Sequence, residues 1–437
     1  MDTSQPDDLL ARLVAAKVRR HIVPLFMAVW FVAYIDRFNV SYAALQMNAQ
    51  IGLSPARFGL GSGLFFLGYA LFEVPSNMML VRVGARRWLA RIIVSWGLVT
   101  MAMIWTRGPS SFAALRLILG IAEAGCFPGM AFCLSQWLAP RDRAGALAAL
   151  GSVAMVSGIV GGPLAAGLLT LRGVAGLAGW QWLFLLEGIP AVAIGICVWR
   201  YLPDSPHHAA WLTPEERRWL TTREDPRCTE RSRGAFRVVI ANPRYWQWGL
   251  AFFCAAAAGS ATLLFRPIIL KQMAGLDDTF TAILAGVPAM AGAIATVYVG
   301  QRSTRVDERR WHAGVPMLLG ASGVAAGGVA HGLGAALAVA SLATVSAASQ
   351  PPLFASVSAE GSSRVNAVGI AFVNSIASVG GFLGPYAMGY LIDRTGDLVV
   401  PCAIAGIVLA IGACLVVAGP DTASVRSRRS VAAPSQA

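Results

Sequence analysis

Charged residues are scarce in this chain of 437 residues. They make up 13% of the sequence, against roughly 25% in soluble domains, whereas hydrophobic residues make up 56%. The mean hydropathy is +0.61. So few charges leave too little polar surface for a soluble globular protein. The composition therefore predicts a protein built for a lipid environment.

Several kinds of functional motif are also missing. The sequence has no Walker loop, nucleophile elbow or HExxH pattern, which argues against an ATP-driven pump and against an enzyme. The seven cysteines show no CxxC pair or metal-type spacing, so we expect no disulfide, no metal site and no cofactor. The polar N-terminal stretch does not resemble a cleavable signal, and we expect the first apolar segment to be an uncleaved anchor.

The chain is dominated by apolar segments long enough to cross a hydrocarbon core of about 30 Å. We predict twelve spans, at 22–43, 58–80, 89–106, 111–137, 144–169, 181–201, 245–270, 279–300, 313–331, 334–357, 366–391 and 399–418. They predict an all-α integral membrane protein with twelve transmembrane helices.

The net charge of +13 follows the loops between these spans. If the N-terminus is cytoplasmic, about 27 of the 35 Lys and Arg residues fall in inside loops and tails. The outside loops hold Arg57, Arg107, Arg172, Lys271 and Arg394. This is the positive-inside bias, and it predicts a multi-pass protein with both termini in the cytoplasm. The basic balance reflects topology, so we expect no nucleic-acid partner.

The sequence also repeats itself. Residues 82–88 read RVGARRW and residues 305–311 read RVDERRW, while a weaker similarity links the segments that begin at Arg143 and Arg364. The offsets of 223 and 221 residues indicate a six-helix half copied in parallel. This is an architecture of secondary transporters, with a substrate site between the halves near mid-membrane. We predict an N-terminal tail 1–21, bundles 22–201 and 245–418, a linker 202–244 and a C-terminal tail 419–437.

The linker contains a helix-start signal in WLTPEERRWL. Thr213 can cap the helix, Pro214 suits the first helical position, and Glu216 completes a capping box. We predict a short helix here, joining the two bundles on the cytoplasmic side.

Seven stretches resemble a known family. They read YIDRFNVSYAALQMN, GLFFLGYALFEVPSNMML, RLILGIAEAGCFPGM, GWQWLFLLEGIPA, YLPDSPHHAAWLTPEER, ERRWH and NSIASVGGFLGPY. Together they resemble the anion:cation symporter family of the major facilitator superfamily, over nearly the whole chain. The resemblance implies that superfamily's fold, a monomer in a bacterial inner membrane, and transport of organic acid anions such as phthalate, tartrate, hydroxyphenylacetate or sugar acids, generally with protons.

Three positions depart from the family pattern. Val81 and Thr304 stand where relatives often have the aspartates that help to gate the cytoplasmic face. Arg266 stands before a proline, where relatives usually have an aromatic or aliphatic residue.

Four of the charged residues inside the predicted spans form two close pairs, and each charge costs roughly 2.5–3.5 kcal/mol in lipid. Asp36 and Arg37 are adjacent in one span, while Arg116 and Glu123 are two helical turns apart in another. They could simply neutralise each other and hold helices together. Intramembrane charges are more often functional, however. We predict one site in which these residues face a wet cavity.

Charge chemistry suggests a role for each of the four. An arginine remains charged and can bind a carboxylate through two hydrogen bonds, so we predict that Arg37 and Arg116 bind the substrate. A carboxylate in a low-dielectric cavity takes up a proton more readily, so we predict that Asp36 and Glu123 carry the coupling protons. The family resemblance implies the same roles.

Arg266 lies in span seven, the repeat counterpart of span one. It could place a second cation beside the cavity, and a dicarboxylate would then suit the site. The alternative is that it reaches the outer headgroup region, because Lys271 follows closely.

Five further polar residues are weaker candidates. Tyr69 could donate its hydroxyl to the anion or serve in packing, and Asn374 could bind substrate or join helices. For Glu73 and Glu187 we favour structural hydrogen bonding, and for His331 a place at the membrane interface.

The function predicted from the sequence is proton symport of a small organic anion into the cell, by alternating access. An anion exchanger, including organophosphate for phosphate, is the alternative, although Asp36 and Glu123 would repel a phosphate dianion. A membrane sensor would need a sizeable soluble domain, and the sequence has none. We favour an aromatic or dicarboxylic acid over a sugar acid. Aromatics that could stack on such an acid are Phe38, Phe65, Phe265 and Phe372.

Overall fold

The computed structural model describes residues 4–222, 233–360 and 363–419, and all regular structure in these ranges is helical. The helices are α1 Ser4–His21, α2 Val23–Gln50, α3 Pro55–Val83, α4 Ala85–Ala102, α5 Pro109–Glu123, α6 Cys126–Trp137, α7 Pro140–Leu169, α8 Gly179–Tyr201, α9 Pro214–Thr222, α10 Arg233–Ala241, α11 Pro243–Ala274, α12 Asp278–Leu284, α13 Gly286–Val306, α14 Arg310–Ala326, α15 Leu333–Thr344, α16 Gln350–Ala359, α17 Ser363–Thr395 and α18 Val399–Val417.

The predicted spans have helical counterparts throughout. In the described ranges, eleven helical segments are long and apolar enough to cross a membrane. Three of these segments consist of two helices each, namely α5 with α6, α12 with α13, and α15 with α16. The remaining span, 313–331, corresponds to α14, whose 17 residues rise about 26 Å. The prediction of an all-α integral membrane protein is confirmed.

Helix starts follow local sequence signals. The Ser54 hydroxyl caps α3 by accepting a hydrogen bond from the N–H of Arg57. In the linker, the N–H of Thr213 donates to the Glu216 carboxylate at 2.8 Å, and the N–H of Glu216 donates to the Thr213 hydroxyl at 3.3 Å. The predicted capping box and its helix, α9, are therefore present.

The N-terminal tail is itself a helix, α1, fixed to its surroundings by ion pairs. Lys17 donates to Glu216 of the linker at 2.7 Å, and Arg19 donates to Asp142 of α7 at 2.7 Å. A second linker helix, α10, has no counterpart in the sequence prediction. The predicted C-terminal tail lies outside the described residues except for Gly419. The predicted domain boundaries stay predictions.

The two halves of the chain meet at one end of the molecule and separate at the other. We call the end at which α2 and α11 begin the basic end, and the end at which they finish the far end. One hydrophobic core at the far end contains residues of both halves. Towards the basic end, each half has a core of its own. The space between the halves therefore opens towards the basic end.

Close helix contact seals the far end. A Cβ at Gly59 of α3 would lie 2.1 Å from the carbonyl oxygen of Pro385 in α17. A Cβ at Gly389 would lie 2.0 Å from the carbonyl oxygen of Pro55. Only glycine allows the two backbones to approach so closely, as is common between membrane helices.

Candidate functional site

A cavity of about 800 Å³ lies between the two halves. Its walls come from the middle and basic-end parts of helices in both halves, including α2, α3, α7, α11 and α17. Aromatic and small residues form most of the wall. Among the described residues, the charged side chains that line it are Arg37, Glu73 and Arg266. Each half thus contributes one arginine.

Arg37 of α2 lies in the cavity wall and also contacts a carboxylate that is buried behind the wall. Its guanidinium donates to the Glu123 carboxylate and lies 5.4–5.7 Å from the ring centroids of Tyr34, Phe65 and Tyr69. These rings present their negative faces to the cation. An anion in the cavity would therefore meet an arginine that is already oriented.

Glu123 is fully buried and ends α5. The next helix, α6, begins at Cys126, and between them Gly125 has a φ of +84°. The predicted continuous span 111–137 is thus two helices, because this left-handed residue interrupts it. Discontinuous helices commonly form the ion and substrate sites of transporters.

Asp36 points away from the cavity wall into the first half. Its Oδ1 accepts hydrogen bonds from the Thr100 hydroxyl at 2.8 Å and from the Asn39 amide at 2.9 Å. No described residue forms a hydrogen bond with its Oδ2. Glu187 of α8 is also buried and faces Asn39, so this bundle contains a third buried carboxyl group.

Arg116 of α5 lies in the same interior. It is 1% exposed, and its guanidinium lies 4.8 Å from the ring centroid of Phe65. Its nearest charged neighbours include Asp36 and Glu123. The four charged residues predicted to form one site are therefore together. Arg37 reaches the cavity wall, while the other three lie behind it.

Arg266 lines the cavity from α11, close to the hydroxyl of Tyr42. This position in the cavity wall differs from the alternative that the sequence left open, in which Arg266 reaches the outer headgroup region. Tyr69 and Asn374 also line the cavity, on α3 and α17. Their roles in binding remain predictions. His331 is exposed, in the loop that precedes α15.

The predicted aromatics divide into two groups. Phe38 and Phe65 line the cavity. Phe265 is buried against Phe58, with ring centroids 5.3 Å apart, and Phe372 packs on Trp246 at 4.9 Å.

The cavity wall also contains residues that sequence reasoning missed. They include Trp30, Tyr34, Thr262, Ser378 and Gln350. Tyr34 could have been found, because it lies one helical turn before Arg37. Glu73, predicted to be structural, also lines the cavity.

The chain is similar to known transporter sequences over most of its length. Residues 26–385 match the family model of the Major Facilitator Superfamily. A "Putative tartrate transporter" of Agrobacterium vitis is 40% identical over 90% of this chain and 87% of its own length. A "Quinolone resistance transporter" of Acinetobacter baumannii is 34% identical over 90% of this chain and 92% of its own.

A solved structure shares the fold. It is a bacterial homologue of the human lysosomal transporter Spinster, in an inward-facing and unoccupied conformation. The TM-score is 0.73 at 20% identity, and the match covers 96% of both chains. At this identity, the likeness concerns the fold.

Proposed function

This chain belongs to the Major Facilitator Superfamily and is a transporter rather than an enzyme, and we propose that it carries a small organic anion together with protons by alternating access. The observation that carries the proposal is the contact between Arg37, in the cavity wall, and the buried Glu123. This pair connects an anion site directly to a carboxylate that can hold a proton. The name of the tartrate relative supports an organic acid as the cargo.

Competition between the substrate anion and Glu123 for Arg37 would couple transport of the anion to transport of the proton. A substrate carboxylate that binds Arg37 takes the place of Glu123 as its partner. Glu123 would then lose its ion-pair partner in a buried site, which is costly unless it takes up a proton. Anion and proton would thus bind together. Release of the anion restores the ion pair and releases the proton.

Asp36 and Arg116 act from behind this pair. Arg116 faces both Asp36 and Glu123, so a proton on either carboxylate changes the charge balance around it. The Oδ1 of Asp36 accepts two hydrogen bonds. Its Oδ2 accepts none from the described residues and can take up a proton. We assign proton coupling to Asp36 and Glu123, direct substrate contact to Arg37, and electrostatic support to Arg116.

Orientation follows from the distribution of positive charge. The basic end would face the cytoplasm of a bacterial cell, with both termini there, and the cavity would open inwards. Tyr69 and Asn374, on opposite halves, would complete the substrate contacts. We assign the transporter to the inner membrane as a monomer.

An anion exchanger on the same fold is the second candidate. Its support is the pair of cavity arginines, Arg37 and Arg266, which would suit a phosphate-bearing ligand. The buried Asp36 and Glu123 weigh against it, since they would repel a phosphate dianion unless protonated.

Transport by the purified full chain in proteoliposomes tests the proposal. With labelled tartrate and an imposed pH gradient, the unmodified protein should concentrate the anion inside the vesicles. Asp36→Asn and Glu123→Gln should still exchange it but lose concentrative uptake. Asp397→Asn, at an exposed carboxylate of the far end, is the matched control. Gradient-driven accumulation by both variants would refute the proton assignment, and obligatory exchange in the unmodified protein would favour the exchanger.

A further inference from the structure

Arg266 is a cavity cation whose charge the described part of the protein leaves unbalanced. Among the described residues, its electrostatic neighbour is the hydroxyl of Tyr42, and none forms a hydrogen bond with its Nε. Arg37, the other cavity arginine, already contacts Glu123. The two arginines therefore differ: one is engaged with a carboxylate and the other is free to bind an anion.

An unpaired guanidinium in the cavity wall favours the arrival of a negative charge. Arginine stays protonated throughout the physiological pH range, so Arg266 cannot relieve the cost by losing its proton. Arg266 lines a cavity that is open at the basic end, but partial removal from bulk water still disfavours an unpaired charge. A negative charge that arrives with the cargo would offset this cost. Arg266 is therefore suited to be the first anchor of an incoming anion.

The two arginines also stand at different depths. The repeats in the sequence are offset by 221–223 residues, whereas Arg266 follows Arg37 by 229. Arg266 thus lies six to eight residues further along its helix than the repeat counterpart of Arg37. This corresponds to about 9–12 Å of helix rise towards the far end. The two cations come from different halves and stand at different levels of the cavity, so each offers a separate place for a carboxylate.

We infer that the transported anion is a small dicarboxylate, with one carboxylate on Arg266 and the other on Arg37. This inference rests on the proposed function and specifies its substrate class. The first carboxylate neutralises the free cation of the second half. The second carboxylate competes with Glu123 for Arg37 and so reaches the proton-coupling pair. Because its ends bind different halves, the dicarboxylate links them across the cavity.

Matched pairs of acids test the inference. Succinate against butyrate, and phthalate against benzoate, differ chiefly by one carboxylate. Binding to the purified full chain would be measured by calorimetry, and uptake into proteoliposomes would be measured with the labelled acids. We expect the dicarboxylate of at least one pair to bind about tenfold or more tightly than its partner, as befits a second charge-assisted contact.

Substitution of Arg266 should remove this preference. Arg266→Leu should weaken dicarboxylate binding about tenfold or more and bring the affinities of the two members of a pair close together, because both then bind through Arg37 alone. Arg266→Lys should retain part of the preference. Arg107→Leu removes an exposed cation at the far end and is the matched control. Melting temperatures would identify a variant that fails to fold. The comparison of acids in the unmodified protein needs no variant.

The outcomes separate this inference from the proposed function. Equal binding of both members in each pair, or a preference that survives Arg266→Leu, would overturn the dicarboxylate assignment while organic-anion transport stands. If no organic anion is taken up, the proposed function fails and the inference fails with it.

Discussion

At the level of single residues, Phe65 holds two like charges in place. Its ring centroid lies 5.4 Å from the Arg37 guanidinium and 4.8 Å from that of Arg116. Each cation gains about 0.5–2 kcal/mol from such a contact. The same ring therefore supports the arginine in the cavity wall and the one behind it, and the orientation of Arg37 depends on this support.

Replacement of Phe65 by leucine should therefore weaken anion binding. Leucine is apolar but has no negative ring face, so Arg37 would lose one of the three rings around it. We predict that Phe65→Leu lowers the apparent substrate affinity about five- to tenfold. Phe65→Tyr, which keeps the ring, should retain most of the affinity. Concentration-dependent uptake in proteoliposomes would measure both variants.

Phe58→Leu is the control for this prediction. Phe58 lies on the same helix, is fully buried, and packs on Phe112 and Phe265 instead of an arginine. It should lower the melting temperature and leave the affinity nearly unchanged. Equal affinity losses in Phe58→Leu and Phe65→Leu would show that packing, and not the contact with the cations, is responsible.

The sequence predicts that the four charged residues lie close together, but it does not predict which of them reach the cavity and which lie behind its wall. The spacing of Arg116 and Glu123 puts them on one face of a helix, and that is a local property. Which face points at the cavity depends on neighbouring helices. Asp36 turns inwards because Thr100, 64 residues further along the chain, donates to it. No local pattern contains that partner.

At the level of helices, the linker is tied to the N-terminal helix through Glu216. Burial by itself would raise the pKa of this carboxyl group. Hydrogen bonds from Lys17 and Thr213 outweigh that effect and hold the pKa of Glu216 below its ordinary value. The folded state therefore binds this proton less tightly than the unfolded state does. The contacts stabilise the fold above the unfolded pKa, and their contribution is lost as the pH falls through the folded pKa.

We predict that Glu216→Gln lowers the melting temperature at pH 7. The difference from the unmodified protein should shrink as the pH falls below the unfolded-state pKa of about 4.3, and it should vanish only below the still lower pKa of Glu216 in the folded protein. Melting curves across a pH series would measure it. Glu215→Gln, at the exposed neighbouring position, should have little effect at any pH. A Glu216→Gln deficit that persists unchanged in acid would contradict the ionic origin of the stabilisation.

Helix boundaries show which structural features local sequence can predict. The capping box of Thr213 and Glu216 was predictable, because both partners lie within one helical turn. The break between α5 and α6 was missed. Gly125 takes its left-handed conformation beside Ser76, and a Cβ there would lie only 2.6 Å from the Ser76 hydroxyl oxygen. That contact joins two different membrane helices, so the apolar pattern of the span does not reveal it.

At the level of the whole molecule, the far end is held closed by polar contacts as well as by the shared core. Asp393 of α17 accepts hydrogen bonds from the Ser54 hydroxyl at 2.7 Å and from the N–H of Ala56 at 3.1 Å. A residue of the second half thus caps a helix of the first half. Alternating access requires the far end to open, and this cap would then be broken.

Loss of the cap should shift the protein towards a state that is open at the far end. A cap contributes about 0.5–2 kcal/mol, so Asp393→Ala should raise the population of that state about two- to thirtyfold. The measurement uses Ala261→Cys, a buried position in the far-end core, in a background without other cysteines. Its rate of labelling by a membrane-impermeant maleimide applied from the far side should rise with that population.

Asp397→Ala separates this effect from a general loss of helix capping. Asp397 also caps a helix at the far end, but it accepts hydrogen bonds from the N–H groups of Val399 and Val400, which belong to its own half. Its removal should leave the labelling rate of the cysteine at position 261 nearly unchanged, because no contact between the halves is lost. If both variants raise the rate equally, the far end opens through local fraying, and Asp393 does not control the equilibrium between the two states.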